Sequence, residues 1–142
     1  METVTINELS PTEKEILSAA ESAKQNAYCP YSHFSVGAAL LCADGQIITG
    51  VNVENISYGL TNCAERSAIF SAYSQGLRDF KLLAIIASSK DNAFKEVVTP
   101  CGACRQVIAE TIKDIPIILS NATKDKIWRT KISELLPDSF DM

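Results

Sequence analysis

The residues best suited to metal chemistry fall in two short segments of the chain. These segments are Cys63-Ala64-Glu65-Arg66 and Pro100-Cys101-Gly102-Ala103-Cys104-Arg105-Gln106. Two residues separate Cys101 from Cys104, a spacing that lets two thiolates at the start of a helix bind one ion. With Cys63 as a third ligand, the fourth tetrahedral position stays open to water, as in a catalytic rather than a structural zinc site. The pattern predicts one zinc ion per chain.

Glu65 is predicted to lie beside this zinc ion without binding it. All three cysteines are expected at helix N-termini, where the partial positive charge favours thiolate over thiol. Glu65 follows Cys63 by two residues, and in a first helical turn its longer side chain can reach past the metal, so we expect it to carry protons. Separate buried thiols are one alternative. A redox CxxC is another, but it leaves Cys63 and Glu65 without a function.

Capping signals and periodicity predict the elements that must position these residues. Ser10-Pro11-Thr12-Glu13 is a helix start, with a capping Ser, Pro at the first helical position and Glu three residues after the Ser. Further helices are predicted at about 63–76, 102–112 and 133–136, and strands at about 34–41, 46–53, 81–88, 115–120 and 127–131. Helices that alternate with strands indicate a single α/β domain over residues 1–142, with at least part of its sheet parallel.

Composition and charge restrict the classes of partner. The 142 residues are 46% hydrophobic and 21% charged, which is typical of one soluble domain. The formal net charge of −4, without a Lys/Arg block, suits a phosphate backbone poorly, so nucleic acid is not expected as the main partner. No apolar run approaches the roughly 20 residues that span a bilayer, and Met1 to Ser10 does not resemble a signal peptide. We therefore expect no membrane partner, and the free thiols favour the cytoplasm.

Taken together, the motifs resemble those of the small homotetrameric zinc-dependent cytidine deaminases. The resemblance covers nearly the whole chain and includes Tyr31-Ser32-His33-Phe34, Asn52-Val53-Glu54-Asn55, the two cysteine segments and Leu135-Leu136-Pro137. It implies a three-layer α/β/α fold with a mixed five-stranded sheet. It also implies Cys63, Cys101 and Cys104 on zinc, Glu65 as the proton shuttle, and Arg66 as a donor to the cysteine sulfurs. A solvated helix-surface arginine is the alternative for Arg66.

Five further residues are predicted to contact the substrate. Asn52 and Glu54 lie two apart on a predicted strand and so on one face, and the resemblance assigns them to the ribose. A polar strand end facing water is the alternative. Phe34 and Phe140 are candidates to pack around the pyrimidine, and the resemblance implies that Phe140 comes from a neighbouring subunit. Core packing is the alternative for Phe34, and a loose C-terminal aromatic is the alternative for Phe140. The resemblance also implies that Ala64 and the Pro100 stretch offer backbone groups to the base.

The predicted reaction is hydrolytic deamination of free cytidine and deoxycytidine in pyrimidine salvage. A deaminase of the antibiotic blasticidin S is the nearest alternative, although Asn52 and Glu54 fit an ordinary ribose. A non-catalytic zinc-stabilised module is a second, but such a site normally has four protein ligands. The single histidine, His33, lies away from both ligand motifs and is expected at the surface, while Cys29 and Cys42 are expected to be buried or partly buried thiols. Tyr58 is predicted near a subunit contact.

Overall fold

The computed structural model describes all 142 residues, and a mixed sheet of six strands lies at its centre. The strands are β1 (Glu2–Val4), β2 (Phe34–Cys42), β3 (Ile47–Val51), β4 (Phe80–Ser89), β5 (Ile117–Ser120) and β6 (Ile127–Thr130). Their order across the sheet is β1-β6-β5-β4-β2-β3. Strands β4 and β5 are parallel, and the other neighbours are antiparallel. The predicted α/β class and mixed sheet are confirmed.

The predicted count of five strands is wrong, because β1 adds a sixth at the edge of the sheet. This strand has three residues and pairs antiparallel with β6, with Val4 opposite Ile127. Only Val4 of the three is buried, so the segment is too short to show the alternation of buried and exposed residues that marks a strand in a sequence. Its pairing depends on tertiary contacts, including the ion pair of Arg129 on β6 with Glu2 at 3.3 Å.

Four helices flank the sheet: α1 (Pro11–Lys24), α2 (Ala64–Ser74), α3 (Gly102–Thr111) and α4 (Ile132–Leu135). The predicted capping box at the start of α1 is confirmed. The Glu13 N donates to Ser10 Oγ at 3.1 Å, and the Ser10 N donates to Glu13 Oε1 at 2.9 Å. Gly76, which has a φ of 83°, follows the end of α2 in the left-handed conformation that glycine tolerates best. None of these helices combines the length and apolar character required to cross a bilayer.

Helix α1 packs on one face of the sheet, and α2, α3 and α4 pack on the other, with a separate apolar layer between the sheet and the helices on each face. Alternate side chains of β4 point to opposite faces, so Leu82, Ala84 and Ile86 belong to the layer that includes Ile16, Leu17 and Ala20 of α1. Leu83 and Ile85 belong to the layer with Ala68, Ile108 and Leu135 of the other helices. The three-layer α/β/α arrangement follows from this alternation.

Glycines let the helices approach the sheet closely on both faces. A Cβ at Gly37 on β2 would lie 2.0 Å from the Ala20 carbonyl oxygen of α1. A Cβ at Gly50 on β3 would lie 2.3 Å from the Ala68 backbone nitrogen and 2.5 Å from the Ala64 carbonyl oxygen, both on α2. All three distances are shorter than a real Cβ atom allows, so only glycine fits at these two positions. The first turn of α2, which carries Cys63 and Glu65, therefore rests directly on the sheet backbone.

Candidate active site

The two cysteine segments meet where helices α2 and α3 begin. Cys63 is the N-cap of α2, and Cys101 is the N-cap of α3, with Cys104 in its first turn. Their three Sγ atoms lie within 4.8 Å of one another. The Cys63 and Cys101 sulfurs are 3.8 Å apart, which matches the separation of about 3.8 Å set by tetrahedral zinc with Zn–S bonds of about 2.3 Å. The donor set therefore fits a zinc ion, and the predicted helix-start positions are confirmed.

The cluster favours thiolate at Cys63. A hydrogen bond from the Cys104 thiol, supported by hydrogen bonds from Arg66 and Cys101, lowers the pKa of Cys63 to about 5, although burial opposes the shift. The same hydrogen bond to Cys63, together with burial, raises the pKa of Cys104. The first proton therefore leaves Cys63. A divalent cation at the cluster removes the remaining thiol protons as well, because metal binding and deprotonation are coupled.

Arg66 supplies positive charge to the sulfurs. Its Nη2 donates to Cys63 Sγ at 3.3 Å, and this contact, with a further one to Cys104, raises the pKa of Arg66. Its Nε is buried without a hydrogen-bond partner. Three thiolates on a divalent cation carry one net negative charge, which the guanidinium offsets. The contact with Cys63 and the partial burial of Arg66 support the predicted donor role over a solvated arginine.

Glu65 is the most deeply buried carboxyl group of the chain, with 5% of its surface exposed. Burial raises its pKa, and the negative charge of Cys63 contributes in the same direction. A raised pKa makes a carboxylate a stronger proton acceptor than an exposed one, as in carboxyl groups that act in acid–base catalysis. Its place as the second residue of α2 directs it to the same region as Cys63, as the sequence predicts.

Cys63, Cys101 and Glu65 border a cavity of about 420 Å³, within the size range of small-molecule sites, whereas Cys104 and Arg66 do not line it. Seven of the residues singled out from the sequence line it: Phe34, Asn52, Glu54, Cys63, Ala64, Glu65 and Cys101. Six others, which were not among the predicted site residues, complete the lining: Ser32, Val36, Thr61, Ile85, Val98 and Thr99. The cavity therefore joins the metal cluster to the polar residues predicted for the sugar.

Asn52 lines the cavity, but it does not lie on a strand as predicted. The strand β3 ends at Val51, so the predicted strand through residue 53 is two residues too long. The Asn52 side chain is 8% exposed; its Oδ1 accepts from the Val36 N at 2.9 Å and its Nδ2 donates to the Phe34 O at 2.8 Å. The amide thus continues the pairing of β3 with β2 where the backbone of β3 stops. One amide hydrogen and one oxygen lone pair remain for another partner.

Glu54 is held by the turn that precedes β2. Its Oε1 accepts from the Tyr31 N at 3.0 Å and the Ser32 N at 3.1 Å, and its Oε2 accepts from the Ser32 hydroxyl. Desolvation opposes ionisation of Glu54, but these hydrogen bonds outweigh it and lower its pKa. Glu54 is therefore an ionised acceptor whose orientation is fixed before any ligand arrives.

The two predicted aromatic residues lie in different places. Phe34 lines the cavity and packs edge-to-face on Phe94, with ring centroids 5.2 Å apart. Phe140 is 74% exposed and lies outside the cavity, where its carbonyl accepts from Gln106 Nε2 at 3.3 Å. The structure does not bring Phe140 to the site of its own chain. Its contribution to a neighbouring site stays a prediction.

The residues expected outside the site are found outside it. His33 is exposed, with a φ of 56°. Cys42 is buried and Cys29 is half-buried. Tyr58 is 73% exposed, and its ring lies edge-on to Tyr31, with centroids 5.8 Å apart. An exposed tyrosine pair beside the cavity is compatible with a subunit contact, which stays a prediction.

The family follows from comparison with known proteins. Residues 10–119 match the model described as the cytidine and deoxycytidylate deaminase zinc-binding region. The chain belongs to this family of deaminases.

The similarity to individual relatives extends over most of both chains. The chain is 51% identical to a cytidine deaminase of Halalkalibacterium halodurans over 88% of this chain and 91% of that one. The crystal structure of cytidine deaminase from Burkholderia pseudomallei superposes with a TM-score of 0.83 at 42% identity, covering 93% of this chain and 100% of that one. Similarity to a blasticidin-S deaminase of Bacillus cereus is lower, at 35% identity over 72% of this chain and 74% of that one.

Proposed function

We propose that the protein hydrolyses free cytidine and deoxycytidine to uridine and deoxyuridine, with water consumed and ammonia released. The observation that carries this proposal is the cavity that joins buried Glu65 and the Cys63–Cys101–Cys104 cluster to the polar side chains of Asn52 and Glu54. The names of the relatives described above support the same substrate class. A blasticidin-S deaminase is the more distant relative, so the ordinary nucleoside is favoured.

A zinc ion held by Cys63, Cys101 and Cys104 would acidify a water molecule and so would supply the nucleophile. Glu65 accepts the proton that this water loses and delivers it to ring N3, which makes C4 of the pyrimidine electrophilic. After attack at C4, Glu65 takes the proton of the new C4 hydroxyl group and donates it to the leaving amine, so that C4 becomes a carbonyl carbon and the amine departs as ammonia. Burial raises the pKa of Glu65, which makes its carboxylate a better proton acceptor than an exposed one and so suits it to carry these protons.

The sugar is the second part of the recognition. Glu54 is held as a carboxylate by Ser32 and Tyr31, so it accepts a hydrogen bond from a ribose hydroxyl. Asn52 has one donor and one acceptor position left for the same sugar. A 3′-hydroxyl enclosed by these groups cannot continue into a phosphodiester chain, and the substrate is therefore a free nucleoside.

Phe34 and the backbone at Ala64 are proposed to contact the base. Both line the cavity beside Glu65, and an aromatic face stacks well on a pyrimidine. Phe140 is proposed to complete the site of a neighbouring subunit in a homotetramer. We also assign the reaction to pyrimidine salvage in the cytoplasm, since the reaction recovers a nucleoside and reduced thiols are needed for the metal.

The test follows the ultraviolet absorbance of cytidine mixed with the zinc-loaded protein. Glu65→Gln is run beside it, with Glu110→Gln, an exposed glutamate of α3, as the matched control. Conversion to uridine by the wild type and by Glu110→Gln, but not by zinc-retaining Glu65→Gln, supports both the reaction and the proton carrier.

Two other results overturn parts of this proposal. No conversion of cytidine or deoxycytidine by zinc-loaded wild type eliminates the nucleoside reaction, and blasticidin S is then the next substrate to measure. Loss of zinc together with activity in Glu65→Gln contradicts the assignment of Glu65 as a proton carrier that does not bind the metal.

A further inference from the structure

One wall of the cavity is held almost entirely by side chains. This wall belongs to the connection between β4 and α3, and Val98 and Thr99 of it line the cavity. From residue 93 to residue 100 the chain makes no backbone-to-backbone hydrogen bond. Its position must therefore depend on side-chain partners, because a segment without ladder or helix bonds has no other directional restraint.

Arg105 is the side chain that fixes the end of this segment. Its Nε donates to the Pro100 O at 2.7 Å, and its Nη2 donates to the Thr99 Oγ1 at 2.9 Å. The other hydrogen bonds of the segment are made by residues nearer its start. Asn121 Nδ2 donates to the Lys95 O at 2.8 Å, whereas the residues from 97 to 100 have no hydrogen-bond partner besides Arg105.

The same guanidinium also holds the start of the C-terminal tail. Its Nη1 donates to the Leu135 O at 2.6 Å, at the end of α4. The next residue of α3, Gln106, donates to the Phe140 O at 3.3 Å. Helix α3 therefore carries two of the predicted metal ligands and anchors both the cavity wall and the tail.

The planar fork of arginine suits this task. Three acceptors on two segments separated by more than 30 residues lie around one guanidinium, and each is bound by a different nitrogen. Lysine presents a single nitrogen on a flexible stem and cannot reach three acceptors in a fixed plane. Arg105 directly follows Cys104 in α3, so the position of its guanidinium is set by the same helix that holds Cys104.

We propose that Arg105 is a positioning residue, which holds the Val98–Thr99–Pro100 wall in register with the metal cluster and the C-terminal tail. It touches neither the reacting atoms nor the metal ligands through its guanidinium. It acts by keeping the wall at the distance that the nucleoside requires. The inference rests on the proposed function, because it takes the nucleoside as the occupant of the cavity.

The experiment compares Arg105→Gln and Arg105→Lys with Arg78→Gln in the zinc-loaded protein. Arg78 is the matched control, because its Nη1 also donates to two backbone carbonyls, those of Tyr73 at 3.0 Å and Leu77 at 2.9 Å, but away from the cavity. KM and kcat for cytidine, zinc content and the thermal midpoint are measured for each. Trypsin cleavage after Lys95, which is exposed, reports the mobility of the wall without any nucleoside.

The expected result is a fall in kcat/KM on the order of 100-fold for Arg105→Gln, as for a displaced binding group. KM carries most of this fall, since a misplaced wall weakens binding in both the ground and transition states. Zinc content is unchanged, Lys95 is cleaved faster, and Arg105→Lys recovers only part of the loss. Arg78→Gln retains the wild-type KM and the wild-type cleavage rate.

Wild-type kcat and KM in Arg105→Gln, with only the thermal midpoint lowered, overturn the proposal and leave Arg105 a merely structural residue. An equal loss of kcat/KM in Arg105→Gln and Arg78→Gln does the same. If Arg105→Gln does not fold, Arg105→Lys is judged by the same criteria. Absence of cytidine turnover in the wild type refutes the proposed function instead, and the cleavage rate at Lys95 then decides whether Arg105 fixes the wall.

Discussion

Arg66 lies one helical turn after Cys63 and donates from its Nη2 to the Cys63 Sγ at 3.3 Å. The contact joins the third residue of α2 to its N-cap, a spacing at which side chains of a helix start are neighbours. The guanidinium and the helix N-terminus thus add positive charge to the same sulfur. This positive charge would offset the net negative charge that three thiolates leave on a bound zinc ion, and so would favour acidification of water there.

Replacement of Arg66 by alanine is expected to weaken the metal site. The sulfurs lose a charged donor, so zinc affinity or kcat/KM falls about 10- to 100-fold, the range found for partners of metal ligands. Zinc content after dialysis against a graded chelator and kcat/KM per zinc-loaded chain are the measurements. Arg78→Ala, which removes an arginine far from the cluster, is the control. Unchanged zinc retention and unchanged kcat/KM in Arg66→Ala contradict the assignment.

Substitution of Gly50 by alanine is expected to displace the start of α2. The added methyl group would lie 2.3 Å from the Ala68 N and 2.5 Å from the Ala64 O, so the helix must move away from β3. We expect a loss of about 1–3 kcal/mol in the free energy of unfolding, typical of overpacking, and weaker zinc retention because Cys63 moves with the helix. Urea unfolding and zinc content measure the two effects.

The neighbouring residue Thr49 provides the control for this change. Its side chain is exposed, so Thr49→Ala alters the same strand without touching α2. Zinc retention equal to wild type in Gly50→Ala, despite lower stability, would show that the cluster does not depend on the contact between α2 and the sheet.

The sequence was sufficient to predict the parts of the site that depend on local geometry. Cys63, Cys101 and Cys104 are at helix starts, and Glu65 and Arg66 follow within one turn, so spacing alone relates them once the helices are recognised. Most helix and strand bounds agree with the observed ones within a few residues for the same reason. Capping residues and long apolar runs are local signals.

The parts that could not be predicted depend on contacts distant in the sequence. The short strand β1 exists because β6 offers it an edge, and no pattern within three residues shows this. Asn52 pairs with the backbone of Phe34 and Val36, which only the assembled sheet brings next to it. The three acceptors of Arg105 include the Leu135 O, 30 residues away in the chain, so its positioning function has no local signature.

Asn52→Ala and Glu54→Gln are expected to differ in stability although both residues face the sugar side of the cavity. Asn52→Ala leaves the partly buried Val36 N and Phe34 O without their partners, which lowers the free energy of unfolding by about 1–3 kcal/mol. Glu54→Gln retains an acceptor for the Tyr31 and Ser32 amides, so its stability stays near that of the wild type. Both variants are expected to lower kcat/KM for cytidine. Urea unfolding and steady-state kinetics separate the two outcomes, and a fully stable Asn52→Ala would contradict the pairing inferred for its amide.

Glu13 is expected to make the stability of the fold depend on pH in the acid range. Arg129 donates to Glu13 from Nε at 3.0 Å and from Nη2 at 2.9 Å, and this hydrogen bonding lowers the pKa of Glu13 although desolvation opposes the shift. A lowered pKa in the folded state means that the ion pair stabilises the fold above the unfolded value of about 4.3. The contribution disappears as the pH falls from that value through the folded pKa.

Glu13→Gln therefore lowers the free energy of unfolding at pH 7 by up to about 1 kcal/mol, the range for a partly exposed pair, and the difference from wild type shrinks as the pH falls below about 4. Urea unfolding of both proteins across this range is the measurement, and any release of zinc at low pH affects both proteins alike and cancels in the difference. Glu15→Gln, on the exposed side of the same helix, is expected to show no such convergence. A difference between Glu13→Gln and wild type that stays constant from pH 7 to pH 3 would show that Glu13 contributes through packing and its cap on Ser10 rather than through its charge.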